Sequence, residues 1–317
     1  MAELAVPKTE AVRKRPFLNQ RRREALTGYL FASPWLFGFL ALTLGPMLFS
    51  LYVSFTSYDI ANPPHWIGLQ NYQFIFQHDS DFTKALGNTL WYVTFKTPVV
   101  IVTSLFLAIL MNQKVPGIKY YRTIFYMPTV ITGVAAIFLW VWLLSPFGLV
   151  NNILGALHLP QQEWFLNPQY AKTGMIIMGT WYIGAPMLIL LAGLNSIPRH
   201  LYEAAMIDGA GILRRFWNIT LPMLSPTLFF IILTNVIGAF QVFNSAYVIS
   251  TTAGGAGAQP GDPEKSLLFY EVYLYKYFGL SQMGYASALA WILFIVVLAI
   301  TATQLYLSRR WVYYEGG

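Results

Sequence analysis

Six long apolar runs, at about residues 28–55, 87–111, 123–145, 173–195, 223–249 and 284–307, dominate the chain and dictate its fold class. Each exceeds the ~20 residues that an α-helix needs to cross the hydrocarbon layer of a bilayer. In hydrocarbon a backbone must satisfy its own hydrogen bonds, so runs of this length are helices. At 56% hydrophobic and 10% charged residues, the 317-residue chain has too little polar surface to cover a soluble globule. The expectation is an all-α membrane protein with six transmembrane helices. It divides into a basic tail, 1–27, a six-span domain, 28–310, holding a polar loop at 196–222, and a short tail, 311–317. The first run is too long for a signal-peptide core and is expected to be retained.

An even number of spans puts both termini on one side, and charge says which. Lys8, Arg13, Lys14, Arg15, Arg21, Arg22, Arg23, Lys114, Lys119, Arg122, Arg199, Arg214, Arg215, Arg309 and Arg310 all fall on the terminal side, 15 of the 20 Lys and Arg. The positive-inside rule therefore places the termini and the 196–222 loop in the cytoplasm. The net charge of +7 reports this topology and calls for no nucleic-acid partner.

What the sequence lacks narrows the function. Without cysteine it has no disulfide, thiolate metal site or cysteine nucleophile. His65, His78, His158 and His200 are scattered singly, and neither HExxH nor GxSxG occurs. No catalytic or metal-binding residue is expected. The spans show no carboxylate pairs of the kind a proton-coupled carrier uses, no phosphate-binding loop is present, and no internal repeat is visible. A stand-alone secondary transporter and a membrane enzyme or scaffold are the readings from other classes.

The 196–222 loop is a structured polar interruption. Asn195 or Ser196 can cap a helix whose first turn takes Pro198, and Asp208-Gly209 is a stop signal, implying about 11 residues and roughly 16 Å. A helix that short is not stable alone. Leu201, Ala204 and Ala205 share one face at i, i+3, i+4 spacing, and two alanines there allow close approach by whatever packs on it. The same spacing also fits an amphipathic hairpin lying on lipid headgroups, held by Arg199, Arg214, Arg215 and Trp217.

The residues Glu203, Ala204, Ala205, Asp208, Gly209, Ala210, Ile219, Leu221 and Pro222 fall at the spacing of a known motif. The stretch closely resembles the EAA loop of inner-membrane permease subunits in binding-protein-dependent ABC importers. Further echoes are Trp66-Ile-Gly-Leu-Gln-Asn-Tyr72, Arg122-Thr-Ile-Phe-Tyr-Met-Pro128, Leu190-Leu-Ala-Gly-Leu-Asn-Ser-Ile-Pro198 and Gly284-Tyr-Ala-Ser-Ala-Leu289. The likeness runs from about Tyr29 to Arg310 and is closest to the carbohydrate-uptake branch, the maltose or glycerol-phosphate type of first permease. It implies the type I permease fold, a cytoplasmic coupling helix seated in a groove of a separate ATPase, and a prokaryotic inner-membrane location. The implied partners are a second related permease, two ATP-binding cassette subunits that carry ATP and Mg, and an external solute-binding protein. The implied cargo is a di- or oligosaccharide, with glycerol phosphate or a polyol as the alternative. This chain itself is expected to bind no cofactor.

In the fifth run Thr234, Gly238, Gln241 and Ser245 recur at i, i+4, i+7, i+11, one narrow polar stripe on a continuous helix, flanked by Asn235 and Asn244. Amides in hydrocarbon must face protein or water, and a sugar is held by such amides and hydroxyls together with aromatic rings. The stripe is a candidate translocation path, with Phe243, Tyr247, Trp181, Tyr182 and Tyr285 as aromatic partners. Helix–helix packing uses the same residue types. Lys96 is read as an anchor close enough to the outer end of the second span to snorkel. Pro34, Pro46, Pro98, Pro128 and Pro186 imply kinks. The Gly/Pro-rich stretch 251–263 is either a flexible turn or an external docking loop.

Overall fold

The structure is a computed structural model that describes residues 20–313, apart from Thr132 and Ala256. Lys8, Arg13, Lys14 and Arg15 of the basic tail and residues 314–317 lie outside the described residues. The chain divides into two compact units, residues 1–52 and 53–317.

The first unit is one long apolar helical run. Helix α1 (Gln20–Gly38) contains Pro34, and a π-helical turn, Phe39–Leu44, leads into α2 (Gly45–Ser54). The wide turn sits where the ring of Pro46 would otherwise crowd the preceding carbonyls, a usual cause of local helix unwinding. Phe31 is 84% exposed and Leu42 80% exposed, as suits a helix bathed in lipid.

The second unit begins with a two-stranded ribbon, β1 (Thr56–Ser57) and β2 (His65–Trp66), antiparallel with Thr56 opposite Trp66. It continues through α3 (Gln70–Gln77) into α4 (Ser80–Met111), the 32-residue axis of the unit. Asp79 caps α4, accepting from the amides of Asp81 at 3.0 Å and Phe82 at 3.2 Å. At the opposite end Arg122 donates through Nη2 to the Met111 carbonyl at 2.7 Å, a cation on the negative pole of the helix. Pro98 lies inside α4, which runs unbroken from Ser80 to Met111.

Among the described residues four helical runs are long and apolar enough to cross a membrane, and two bent pairs bring the number to as many as six where each pair is one span. The third apolar run is one of these pairs rather than a straight helix. Helices α5 (Ile118–Tyr126) and α6 (Val134–Leu143) are separated by a tight turn at Met127–Thr129 that holds Pro128. After α7 (Leu149–Ala156), the fourth run is α8 (Pro168–Gly179) and α9 (Gly184–Ser196), bent by 49° two residues before Pro186. Next come α10 (Arg199–Ile207) and α11 (Ile212–Arg215), then a π-helical turn at Phe216–Thr220 that runs into α12 (Leu221–Phe240). Helices α13 (Asn244–Thr252), α14 (Tyr270–Gly279) and α15 (Met283–Ser308) complete the chain. The last run is unbroken.

Two apolar cores form along α4. At its Met111 end, Ala108 and Met111 pack with Met187, Leu190, Leu191 and Leu194 of α9 and Leu224, Leu228 and Ile231 of α12. Gly193 makes this contact possible, since a Cβ there would lie 2.7 Å from Leu224 Cδ1 and 2.9 Å from Thr227 Oγ1. At the Ser80 end a larger core joins Phe82, Ala85 and Tyr92 to Met175, Phe240, Ile249, Leu267–Tyr270 and Tyr273.

Lys96 is the seventeenth of the 32 residues of α4, and its ammonium lies 5.2 Å from the centre of the Tyr92 ring. The electron-rich face of that ring holds the cation one turn nearer the Ser80 end.

Candidate functional site: a coupling loop and a broken span

Helix α10 has nine residues, not 11. Asn195 and Ser196 belong to the last turn of α9, where Ser196 Oγ donates to the Gly193 carbonyl at 2.8 Å. Pro198 occupies the N-cap position of α10 without a side-chain bond.

The stop is geometrically explicit. Asp208 is the C-cap, and Gly209 follows at φ +75°. The Gly209 amide donates to the Met206 carbonyl at 3.1 Å, and the Ala210 amide to Ala205 at 2.8 Å. This pair of bonds is a Schellman motif, which needs a left-handed residue where glycine sits. The spacing of Ala205, Gly209 and Ala210 is thus the spacing of one helix terminator.

The helix turns Leu201 and Tyr202 toward the Met111-end core, and Tyr202 Oη pairs with Thr220 Oγ1 at 2.9 Å. Ala205 is half-buried on the same side, lining a cavity of about 210 Å³ with Asp208, Ala210, Arg215 and Ile219. Ala204 faces outward with Glu203, so the expected shared face of Leu201, Ala204 and Ala205 is split. The helix has an inner side, Leu201 and Ala205, and an outer side, Glu203, Ala204, Met206 and Ile207. Ile207 is 87% exposed, and Ile212, Leu213 and Trp217 are exposed nearby. Large apolar side chains displayed beside charges on one short loop form a surface suited to a protein partner or to lipid headgroups. Ile219, Leu221 and Pro222 belong to the turn into α12; Ile219 and Leu221 pack on the core.

In the fifth span the polar stripe is real but shorter than expected. Thr234 and Gly238 of α12 are exposed, as is Gln241 directly after it. Thr234 Oγ1 bonds the Phe230 carbonyl at 2.9 Å and Asn235 Nδ2 the Ile231 carbonyl at 3.0 Å, so neither donor is spent on another helix. At Gln241–Phe243 the helix breaks, and the phase restarts at Asn244. Ser245 therefore does not continue the stripe, whereas exposed Asn244 and Gln241 flank the break. No proline or glycine lies at the break itself. Phe240 and Val242 are both buried in the Ser80-end core, and their burial holds the chain in this turn.

Of the aromatic candidates, Phe243 and Tyr247 stack at 5.4 Å and 27°. Their third partner is Tyr275 of α14, at 5.0 Å from Phe243 and 5.3 Å from Tyr247. Tyr275 was not singled out from the sequence, although the tyrosine-rich run Tyr270–Tyr277 was there to find. The other candidates pair elsewhere. Trp181 meets Trp140 edge to face at 5.1 Å, and Tyr182 Oη donates to the Ile131 carbonyl at 3.4 Å.

Tyr285 and Tyr273 both donate to Asp79 Oδ2. Burial alone would raise the Asp79 carboxyl, but these hydroxyls and the amides of Phe82 and Asp81 leave it below its ordinary value of 3.8. Burial raises the carboxyl of Glu271, one turn before Tyr275.

The stretch 251–263 leads into a wall that is not a loose turn. Asp262 Oδ2 accepts the Gln259 amide at 2.7 Å, and Asn88 Nδ2 donates to the carbonyls of Lys265 at 2.9 Å and Leu268 at 3.0 Å. Thr89 Oγ1 accepts the Tyr270 amide at 2.9 Å, while Lys84 Nζ donates to the Glu264 carbonyl at 2.7 Å.

Residues 80–313 match the family described as "Binding-protein-dependent transport system inner membrane component". The "Probable ABC transporter permease protein YesP" of Bacillus subtilis (strain 168) is 40% identical over 297 residues, 93% of this chain and 94% of that protein. The "Arabinooligosaccharides transport system permease protein AraP" of the same organism is 31% identical over 285 residues, covering 88% of each chain. Among solved structures, a chain of a bacterial alginate ABC transporter in complex with alginate pentasaccharide-bound periplasmic protein superposes with a TM-score of 0.78. It shares 25% identity and covers 91% of this chain and 96% of its own. The helical spans, the exposed terminator-capped loop and these matches agree: the chain belongs to the binding-protein-dependent inner membrane component family, the permease subunits of ABC transporters.

Proposed function

We infer that this chain forms, with a second homologous permease, the membrane path of an ATP-driven importer for a di- or oligosaccharide. An external binding protein delivers the cargo, and two ATP-binding cassette subunits, which hold ATP and Mg, supply the work. The termini and α10 lie in the cytoplasm, because Arg122, Arg199, Arg214, Arg215, Arg309 and Arg310 cluster on that side. The membrane is the inner membrane of a prokaryote.

The observation that carries the reading is the exposed outer side of α10. Glu203, Ala204, Met206 and Ile207 are presented by a helix whose inner side is tied to α12 through Tyr202 and Thr220. A push on the exposed side is thereby delivered to the fifth span. Asp208, Gly209 and the turn Ile219, Leu221, Pro222 complete the lever. At the end of α12, exposed Gln241 cannot face lipid at low cost, which favours a partner helix or a hydrated path. Names of relatives that carry arabino-oligosaccharide or alginate support a saccharide cargo.

The test is reconstitution of all subunits in vesicles. Glu203→Lys or Gly209→Pro is expected to uncouple ATP hydrolysis from saccharide uptake or to release the ATPases. Normal uptake in both variants would remove the coupling role.

A further inference from the structure

A cavity of about 580 Å³ opens at the Ser80 end of α4, beside the end of the fifth apolar run, lined among others by Asp81, Tyr247, Gln259, Asp262, Tyr275 and Lys276. We propose that it is a saccharide subsite at the outer mouth of the permease, where cargo leaving the binding protein rests before entering the broken fifth span. The inference rests on the importer reading above.

Size, chemistry and rigidity each support it. The volume lies within the roughly 300–1,000 Å³ of small-molecule clefts. Two tyrosine rings, Tyr247 and Tyr275, stand nearly perpendicular at 80° and offer flat faces for the C–H side of a sugar ring. The polar groups come as donors and acceptors together. Asp81 holds Lys265 at 2.5 Å and Lys276 at 3.8 Å. Asp262 spends Oδ2 on the Gln259 amide and leaves Oδ1 without a partner among the described residues. Two carboxylates against two ammonium groups leave no net charge to retain a phosphate, whereas hydroxyls, which both give and accept, match such a set. The wall is preorganised, because Leu267 through Tyr270 are buried and bonded to Asn88 and Thr89 of α4. The pocket also borders the helix break through Tyr247. The ring of Tyr247 stacks on Phe243 at the helix break, and exposed Gln241 and Asn244 flank that break.

The chain has no native cysteine, so Leu280→Cys in the cavity wall supplies a single thiol. The assembled importer, with cysteine-free partners, is screened for uptake of arabinotriose, maltose, lactose and an alginate oligosaccharide. The saccharide taken up is expected to slow maleimide labelling of Leu280→Cys in the absence of binding protein. Tyr275→Ala should lower uptake roughly tenfold and remove that protection, as befits loss of one stacked ring. Tyr275→Phe should stay within about twofold. Both variants should keep ATPase stimulation by loaded binding protein at the same half-saturating concentration, which also shows that the complex is assembled. Unchanged uptake and labelling in Tyr275→Ala would overturn the subsite. So would a shift of the half-saturating binding-protein concentration, which would make the cavity a seat for that protein. Failure of the unmodified importer to take up any of the four saccharides would instead overturn the sugar reading, and this site with it.

Discussion

The two ends of α4 are built differently. At the Ser80 end, side chains of Asp79, Lys84, Asn88 and Thr89 bind groups 177 to 206 residues away in sequence. At the Met111 end, the loop that carries α10 is held by the Tyr202–Thr220 pair and by Leu201, and leaves most of its helix exposed. One end ties its side chains into contacts across the sequence; the other presents exposed apolar and charged groups, Glu203, Met206, Ile207, Ile212 and Leu213, on one loop. On the reading proposed above, the closed network walls the mouth and the open surface is the lever.

The sharpest way to break that contrast is Gly209→Val. A β-branched residue at φ +75° is strained by about 1–3 kcal/mol and destroys the Schellman stop. Uptake in vesicles is expected to fall below a tenth of normal while the purified subunit stays folded, whereas Gly209→Asn, which tolerates the left-handed region, should keep most of it. Equal loss in both would point away from backbone geometry.

Gly193→Leu tests whether the lever moves through the Met111-end core. Its side chain would press on Leu224 and Thr227, costing about 3 kcal/mol, and should lower the thermal midpoint of the complex. An unchanged midpoint would mean that α9 and α12 do not pack at this distance.

Asp79→Asn sharpens the other side of the comparison. Asparagine still caps α4 but loses the charge that Tyr273 and Tyr285 address, a loss of about 2 kcal/mol. Because the folded carboxyl titrates below 3.8, its contribution is complete above that pH and disappears as pH falls through the lowered value. Thermal midpoints of wild type and Asp79→Asn should therefore differ at pH 6 and converge as pH drops below 3.8. A constant gap across that range would exclude the carboxylate as its source.

The smallest effect is expected of Tyr202→Phe. It removes one half-exposed hydrogen bond to Thr220, worth about 1 kcal/mol, so uptake should fall a few-fold with the fold intact. A larger loss than that of Gly209→Val would shift the lever from the terminator to this hydroxyl pair.

The sequence was most legible where one local constraint acts alone. Six apolar runs follow from bilayer thickness, and Asp208-Gly209 announces a helix end because a left-handed residue must sit there. The turn at Gln241–Phe243 carries no such mark. It arises where Phe240 and Val242 are drawn into a core shared with α4, α13 and α14. For the same reason a regular spacing suggested that Ser245 extends the stripe, and it does not. The partner of Lys96, the Tyr92 ring one turn earlier, is likewise a matter of packing that its place in the run does not mark.

By itself, then, the amino-acid order determined membrane residence, the number of apolar runs, the side on which basic residues gather and the place where α10 stops. These are properties of segments against a solvent or of a single backbone position. Tertiary structure alone decided where spans bend, which face of α10 is outward, and that Tyr275 joins Phe243 and Tyr247 beside a cavity. Such features depend on which distant side chains compete for the same buried space, and neighbours in the chain do not record that competition.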